Sequence, residues 1–125
     1  QYATVLVERR IQIALDGGAY DVVIGLASTM IERSDIGAQW RIYRAQAREK
    51  SGDWRGSRED LHGARDAVTT ALNHRRAPLL LVLRGKVLLA LDADQEAAAD
   101  FEEAFLRAPD FPAAKAWYLK TRGLL

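Results

Sequence analysis

Five carboxylates near the end of the chain follow the spacing of a calcium-binding loop. The sixth place of such a loop needs glycine for its turn, but this chain has Ala97 there. Ala97 also begins a helical stripe that continues to Phe101, and one segment cannot be both loop and helix. We therefore favour the helix and expect no metal site. The first, third, fifth, ninth and twelfth places of the loop pattern hold Asp92, Asp94, Glu96, Asp100 and Glu103.

The other reactive residues do not form a catalytic pattern. His62 and His74 have no third ligand at metal-site spacing. Ser57 lies near His62, but its spacing to Asp60 is that of a capping box at a helix start. The chain has no cysteine, which excludes disulfides, thiol catalysis and thiolate metal ligands. We predict no catalytic residue, no cofactor and no bound metal.

Three arginines recur at helical spacing in the first half of the chain. Arg41, Arg44 and Arg48 recur at intervals of three and four residues, so one side of a helix presents them together. Guanidinium groups bind carboxylates through paired hydrogen bonds, which would suit an acidic partner. The alternative is that these arginines are only solvated, since a charged helical face is usually plain surface.

The elements that carry these residues are predicted to be helices. Alanine, leucine and arginine dominate the chain, only three prolines occur, and β-branched residues do not alternate with polar ones. With 125 residues, 49% of them hydrophobic, the chain is long enough for one domain with a real core. We therefore predict an all-α fold in a single domain over residues 1–125.

One stretch, residues 78–111, contains two helical patterns back to back. Pro78 stands at the start of the first, where a missing N–H costs nothing. Gly85 interrupts this otherwise apolar helix and costs about 1 kcal/mol of helix propensity, so it predicts close approach by a neighbouring helix. Asp92 and the residues up to Gln95 break the pattern before the second helix.

The spacing in this stretch resembles that of the tetratricopeptide repeat. The family pattern is W-x2-L-G-x2-Y, then A-x3-F, then P. Here leucine stands where the family prefers tryptophan, and Arg84 stands where it prefers leucine. Earlier in the chain, Gly18-Ala19-Tyr20 and Gly52-Asp53-Trp54 are separated by one family period and resemble the inter-helix turn of the family. The matching residues are Leu81, Gly85, Leu88, Ala97, Phe101, Ala104 and Pro109.

This resemblance implies a right-handed α-solenoid of about three helical hairpins plus a C-terminal capping helix. The repeats would span residues 3–35, 36–77 and 78–111, and the capping helix residues 112–123. The third repeat begins six residues later than the family period predicts, and we expect these extra residues to lengthen the second helix of the second repeat. The chain begins at Gln1 without methionine, which suggests a piece of a longer protein.

The register of the second repeat has two solutions. Counting back from Gly52 puts the three arginines into slots that the family keeps apolar. Centring the helix on Trp40, with Tyr43 and Ala47 also inward, moves two of the arginines out of those slots. We favour the second register, because three uncompensated buried guanidinium groups would be very costly.

The resemblance also implies a function, since tetratricopeptide arrays usually bind a peptide in the groove formed by the first helix of each repeat. We predict a non-catalytic protein-interaction scaffold with a partly apolar and partly basic groove. The alternative is a structural or self-assembly domain that docks onto its own chain or a complex. A clamp for a terminal carboxylate is not expected, because Asn73 is the only asparagine and the first repeat offers Glu8 and Gln12 instead. The predicted protein-binding residues are Arg41, Arg44, Arg48, Leu79, Val82, Lys86 and Leu89.

Charge is unevenly spread along the chain although the formal total is +1. Residues 40–58 carry six basic and two acidic side chains, whereas residues 92–110 carry one basic and seven acidic. This separation permits head-to-tail self-association, but the near-zero total argues against nucleic acid as a partner. The longest apolar run is shorter than the roughly 20 residues that span a bilayer, so we expect no membrane insertion by this fragment and favour a cytoplasmic location.

Overall fold

The computed structural model describes residues 2–123 as seven α-helices joined by short turns. No strand occurs among these residues, which confirms the predicted all-α helical-repeat class. None of the helices in this range is both long and apolar enough to cross a membrane. The helices are α1 (Tyr2–Asp16), α2 (Tyr20–Glu32), α3 (Ala38–Lys50), α4 (Trp54–His74), α5 (Pro78–Ala90), α6 (Asp94–Arg107) and α7 (Pro112–Thr121).

In chain order these helices are three hairpins followed by a single helix. Helix α4 has 21 residues, whereas the other five helices of the hairpins have 13 to 15. The prediction that extra residues lengthen this helix is therefore confirmed. The chain divides into two compact units, the first ending at Gly63 and the second beginning at Ala64, and this boundary lies within α4.

The turn inside each hairpin has the same backbone geometry. Gly18, Gly52 and Asp92 all have positive φ, of 77°, 95° and 63°. Glycine adopts this conformation at little cost, and aspartate tolerates it better than most residues. In each turn the next N–H donates to the carbonyl five residues back, over 2.8 Å from Ala19, 2.7 Å from Asp53 and 2.8 Å from Ala93.

Because Gly52 and Asp92 occupy equivalent places, they fix the alignment of the second repeat with the third. This alignment places Arg41 and Arg48 at the positions of Leu81 and Leu88 in α5. The register counted from Gly52 is therefore the observed one, and our preference for the alternative was wrong. The prediction that Trp40 is buried is nevertheless confirmed, at 6% exposure.

The core of the first unit joins its first three helices. Ile11 of α1 and Val23 and Ala27 of α2 are fully buried. Trp40 and Tyr43 of α3 pack into the same cluster, with their ring centroids 6.1 Å apart. Burial of these apolar side chains is the main force that holds the helices together.

The core of the second unit is organised around Phe101 of α6, which is fully buried. Its ring lies against the backbone of α5 at Gly85, so the close approach predicted from that glycine is made by a side chain. On its other side Phe101 stacks on Trp117 of α7, with centroids 5.2 Å apart and planes 13° apart. Phe105 stacks on Tyr118 in the same way, and α7 covers this hairpin as predicted.

This packing makes Gly85 sensitive to the smallest enlargement. A Cβ atom there would stand 2.6 Å from Cζ of Phe101. We expect Gly85→Ala to lower the free energy of unfolding by about 1–3 kcal/mol, because overpacking outweighs the gain in helix propensity. Gly25, in the middle of α2, is the matched control, since a Cβ atom there meets nothing within 4 Å.

Gly25→Ala is expected to raise the free energy of unfolding by up to about 1 kcal/mol. Urea denaturation followed by circular dichroism measures both changes. Equal shifts in the two variants would contradict the close contact between Gly85 and Phe101.

The capping box predicted for Ser57 and Asp60 is wrong. Both residues lie inside α4 and are buried, at 4% and 2% exposure. The cap of α4 is Asp53, whose carboxylate accepts a hydrogen bond of 2.9 Å from the backbone N–H of Gly56. The buried Asp60 therefore needs another explanation, which its neighbours on α3 provide.

Candidate functional site

Arg41, Arg44 and Arg48, here called the arginine triad, converge on the Asp60 carboxylate. Arg44 donates to it from Nη2 over 2.6 Å and from Nε over 2.9 Å. Arg48 donates from Nη1 over 2.9 Å, and Nη1 of Arg41 lies 3.8 Å away. The guanidinium groups are thus compensated by a buried carboxylate, which the sequence interpretation did not foresee.

The arginine triad on α3 and the apolar stripe predicted on α5 do not lie on equivalent faces of their two helices. When the two repeats are aligned on their turns, the triad corresponds to Leu81, Arg84 and Leu88. The members of the stripe correspond instead to Gln39, Ile42, Gln46 and Glu49. The predicted site residues therefore fall into two sets with different surroundings.

The second unit contains the same type of ion pair at the equivalent place. Arg84 donates to Asp100 from Nε over 2.7 Å and from Nη2 over 2.8 Å, and to the Thr69 hydroxyl over 3.3 Å. In the first unit Arg44 likewise donates to the Ser28 hydroxyl over 3.0 Å. These hydrogen bonds to Asp100 raise the pKa of Arg84 above its ordinary value.

A polar network joins α1 and α3 in the first unit. One Glu8 oxygen accepts hydrogen bonds from Gln39 over 3.0 Å and from the Tyr43 hydroxyl over 3.1 Å. Gln12 contacts the same hydroxyl at 3.5 Å. Burial, together with the nearby Glu8 carboxylate, raises the pKa of Tyr43. Glu8 and Gln12 were predicted to face the groove in the first repeat. Both contact the Tyr43 hydroxyl and so join α1 to α3.

The apolar stripe predicted on α5 is only partly accessible. Leu79 is 56% exposed and Leu89 is half-buried, as is Lys86. Val82 is only 3% exposed, so the prediction that it contacts a partner is corrected: its side chain packs in the core. The part of the stripe that is not buried therefore consists of Leu79, Lys86 and Leu89.

Leu89 lines a cavity of about 440 Å³ in the second unit. Helix α7 contributes Trp117 and Lys120 to it, and Lys120 Nζ lies 4.9 Å from the centroid of the Trp117 ring. The sequence interpretation missed both residues, because it assigned α7 only a capping role. The complete lining is Leu89, Asp94, Ala98, Trp117, Lys120 and Thr121, which we call the α5–α7 cavity.

The segment with calcium-loop spacing is helical, because Ala97 lies in α6 and is buried. Asp100 is paired with Arg84, and Glu103 accepts hydrogen bonds of 2.7 Å from both Arg76 and Arg107. These bonds lower the pKa of Glu103 to about 2. The calcium-loop alternative is therefore wrong, and residues 2–123 hold no group of three or more acidic or imidazole ligands placed for a metal.

Two solved structures resemble this chain along nearly its full length. The first TPR of Spaghetti (RPAP3), bound to the HSP90 peptide SRMEEVD, is 18% identical with a TM-score of 0.52, over 95% of this chain and 90% of that one. The Arabidopsis OM64 TPR domain is 19% identical with a TM-score of 0.51, over 99% and 98% of the two chains. The fold is that of a tetratricopeptide domain. No protein-family model and no curated protein matches the sequence.

Within this tetratricopeptide fold, the second and third repeats depart from the family pattern at the same slot. Arg44 and Arg84 stand where that pattern has leucine, and each is compensated by an aspartate sixteen residues later, Asp60 or Asp100. The only sequence signal for this arrangement is the Arg-to-Asp spacing, which occurs at equivalent places in the second and third repeats.

Proposed function

We propose that this chain is a non-catalytic protein-interaction module that binds a short segment of a partner protein at the α5–α7 cavity. The observation that carries the proposal is the cavity itself, whose lining combines apolar side chains with the charged side chains of Asp94 and Lys120. Its volume of about 440 Å³ is within the range of roughly 300–1,000 Å³ found for ligand sites. The fold supports the same conclusion, since one structural neighbour is itself bound to a peptide.

The lining indicates the chemistry of the partner residue. Leu89, Ala98 and Trp117 offer apolar contact to one large side chain, and tryptophan is enriched among residues that dominate binding energy. Asp94 and Lys120 place opposite charges at the same cavity, so they would orient a segment that has a polar group beside its apolar anchor. We expect leucine, methionine or phenylalanine as the anchor.

Helix α5 extends this surface away from the cavity. Lys86 and Leu79 lie three and ten residues before Leu89, on the same side of the helix. Ten residues of helix span about 15 Å, enough for several residues of an extended peptide. The exposed Leu79 would provide a second apolar contact.

Selection from a random peptide library tests the proposed function. The peptides recovered should share one large apolar residue, and Leu89→Asp should weaken their binding at least tenfold because it places a charge in the apolar lining. Leu106→Asp is the matched control, since Leu106 lies outside the cavity and is 69% exposed. Equal affinities of the two variants for the selected peptides, measured by calorimetry, would exclude the cavity as the binding site.

A further inference from the structure

The second and third repeats have different residues at a set of three equivalent positions, and this difference indicates a second binding site. The third repeat uses Leu81, Arg84 and Leu88, of which both leucines are buried. The second repeat has arginine at all three equivalent positions, the arginine triad. One arginine and one aspartate therefore suffice for the fold at this place, and Arg41 and Arg48 are additional.

Arg44 alone already reproduces the contacts of Arg84. It donates to Asp60 from Nε and Nη2 and to the Ser28 hydroxyl from Nη1, and Arg84 uses the same three atoms for Asp100 and Thr69. The two additional guanidinium groups bring two further positive charges to a carboxylate that is 2% exposed.

Asp53 supplies the other carboxylate near the triad, and it offsets this excess only in part. Its Oδ2 lies 3.9 Å from Nε of Arg48, and its Oδ1 accepts the helix-capping hydrogen bond from Gly56. Its side chain is 54% exposed, so solvent screens the attraction. Even with Asp53 counted, the three arginines face two carboxylates, and the cluster has one positive charge in excess.

The geometry leaves donors of the triad available at the surface. Nη1 of Arg41 is 3.8 Å from Asp60, beyond hydrogen-bond range, and its guanidinium forms no hydrogen bond within residues 2–123. The side chains of Arg41 and Arg48 are 32% and 25% exposed. Gly63 provides the space for Arg41, since a Cβ atom there would stand 3.0 Å from Nη1.

We propose that Arg41 and Arg48, held on either side of the Arg44–Asp60 pair, bind a phosphoryl group. Guanidinium groups bind phosphate through paired, charge-assisted hydrogen bonds. A phosphoryl group carries about −1.5 to −2 charges at neutral pH, enough to neutralise the excess of the cluster. This site lies in the first unit and shares no residue with the α5–α7 cavity, so it does not depend on the proposed function.

The test compares the protein with Arg41→Leu/Arg48→Leu, a variant that has the residues of the third repeat and keeps Arg44 and Asp60. Inorganic phosphate is titrated against sodium chloride at matched ionic strength, and thermal unfolding is recorded. At ten times its dissociation constant, phosphate should raise the melting temperature of the unmodified protein by about 5 °C. The variant should show no such rise, and without phosphate it should melt no earlier than the unmodified protein.

Two controls make the result specific. Arg55→Gln/Arg58→Gln removes the same charge from exposed positions of α4 and should keep the response to phosphate. If the leucine variant does not fold, Arg41→Gln alone takes its place. The Arg41 side chain forms no hydrogen bond within residues 2–123, and this change should weaken phosphate binding about tenfold.

The outcomes distinguish the site from general attraction of anions. No phosphate effect on the unmodified protein, or an equal effect on the leucine variant, would overturn the proposal, as would loss of the effect in the α4 control. O-phosphoserine then identifies the source of the phosphoryl group. Binding of O-phosphoserine as strong as that of phosphate indicates a phosphorylated side chain, whereas binding of phosphate alone indicates a free phosphate ion.

Discussion

Arg84→Met is expected to lower the free energy of unfolding by about 3–5 kcal/mol. Asp100 is only 5% exposed, and both of its hydrogen bonds from a cation come from Arg84. Without that partner a buried carboxylate must either stay charged in a poorly hydrated place or bind a proton, and both are costly. Urea denaturation at neutral pH measures the loss.

Arg107→Met is the control for this prediction. Arg107 also pairs with a carboxylate, Glu103, but its side chain is 49% exposed. The loss should be below about 1 kcal/mol, because exposed ion pairs contribute little.

The same pair allows a stronger test, because both partners can be replaced. We expect Arg84→Met/Asp100→Leu to be within about 1 kcal/mol of the unmodified protein, since apolar side chains of similar size often replace a buried ion pair without loss. A double-mutant cycle isolates the coupling between the two residues. If the double variant loses as much stability as the two single variants together, the pair is not the coupled unit described here.

Asp60→Asn is expected to have an effect of the same size, about 3–5 kcal/mol, for the opposite reason. It keeps the shape of the side chain but removes the negative charge on which Arg44 and Arg48 converge with hydrogen bonds of 2.6–2.9 Å. Three cations, each 16–32% exposed, would then lie close together without a buried counter-charge.

Asp66→Asn is the matched control, because Asp66 lies on the same helix and its side chain is 72% exposed. Its effect on unfolding should be within about 0.5 kcal/mol. The effect of Asp60→Asn should also shrink when Arg41 and Arg48 are replaced by leucine, since one guanidinium then remains at that carboxylate. Equal costs for Asp60→Asn with and without these two arginines would contradict the shared role of Asp60.

The elements of the fold were predictable from sequence because their signals are local. Gly52 requires a turn with positive φ, Pro78 and Pro112 start helices, and apolar stripes with a period of 3.6 residues mark the faces that pack. The extra residues before Pro78 continue a segment whose pattern is already helical, so they were predicted to lengthen that helix. Each of these signals depends only on residues that are close together in the sequence. The helices that they predict are also the ones that the tertiary packing stabilises.

The surroundings of the arginines could not be predicted in the same way. We favoured the other register because burying guanidinium groups without a counter-charge is costly. In the structure Asp60 supplies that counter-charge, so the reason for rejecting the register counted from Gly52 does not apply. Asp60 itself was predicted to be the partner of Ser57 in a capping box, a local role that fits the spacing of the two residues. Only the packing of α3 against α4 decides between these roles.

The candidate binding site was likewise predictable only where its signals are local. Leu89 was predicted from its place on α5, but that helix is apolar on most sides, so periodicity could not tell that Val82 is covered and Leu79 is not. Trp117 and Lys120 reach the cavity because the ring of Phe101 positions α7 against the hairpin. That contact joins two different helices and leaves no separate signal in the sequence.

The most direct test of the proposed function is to map a selected peptide onto the protein by nuclear magnetic resonance. Titration should shift the indole N–H signal of Trp117 and the methyl signals of Leu89, and an apolar side chain of the peptide should show nuclear Overhauser contacts to both. Shifts confined to other helices, with the signals of Trp117 and Leu89 unchanged at saturation, would contradict binding at the α5–α7 cavity.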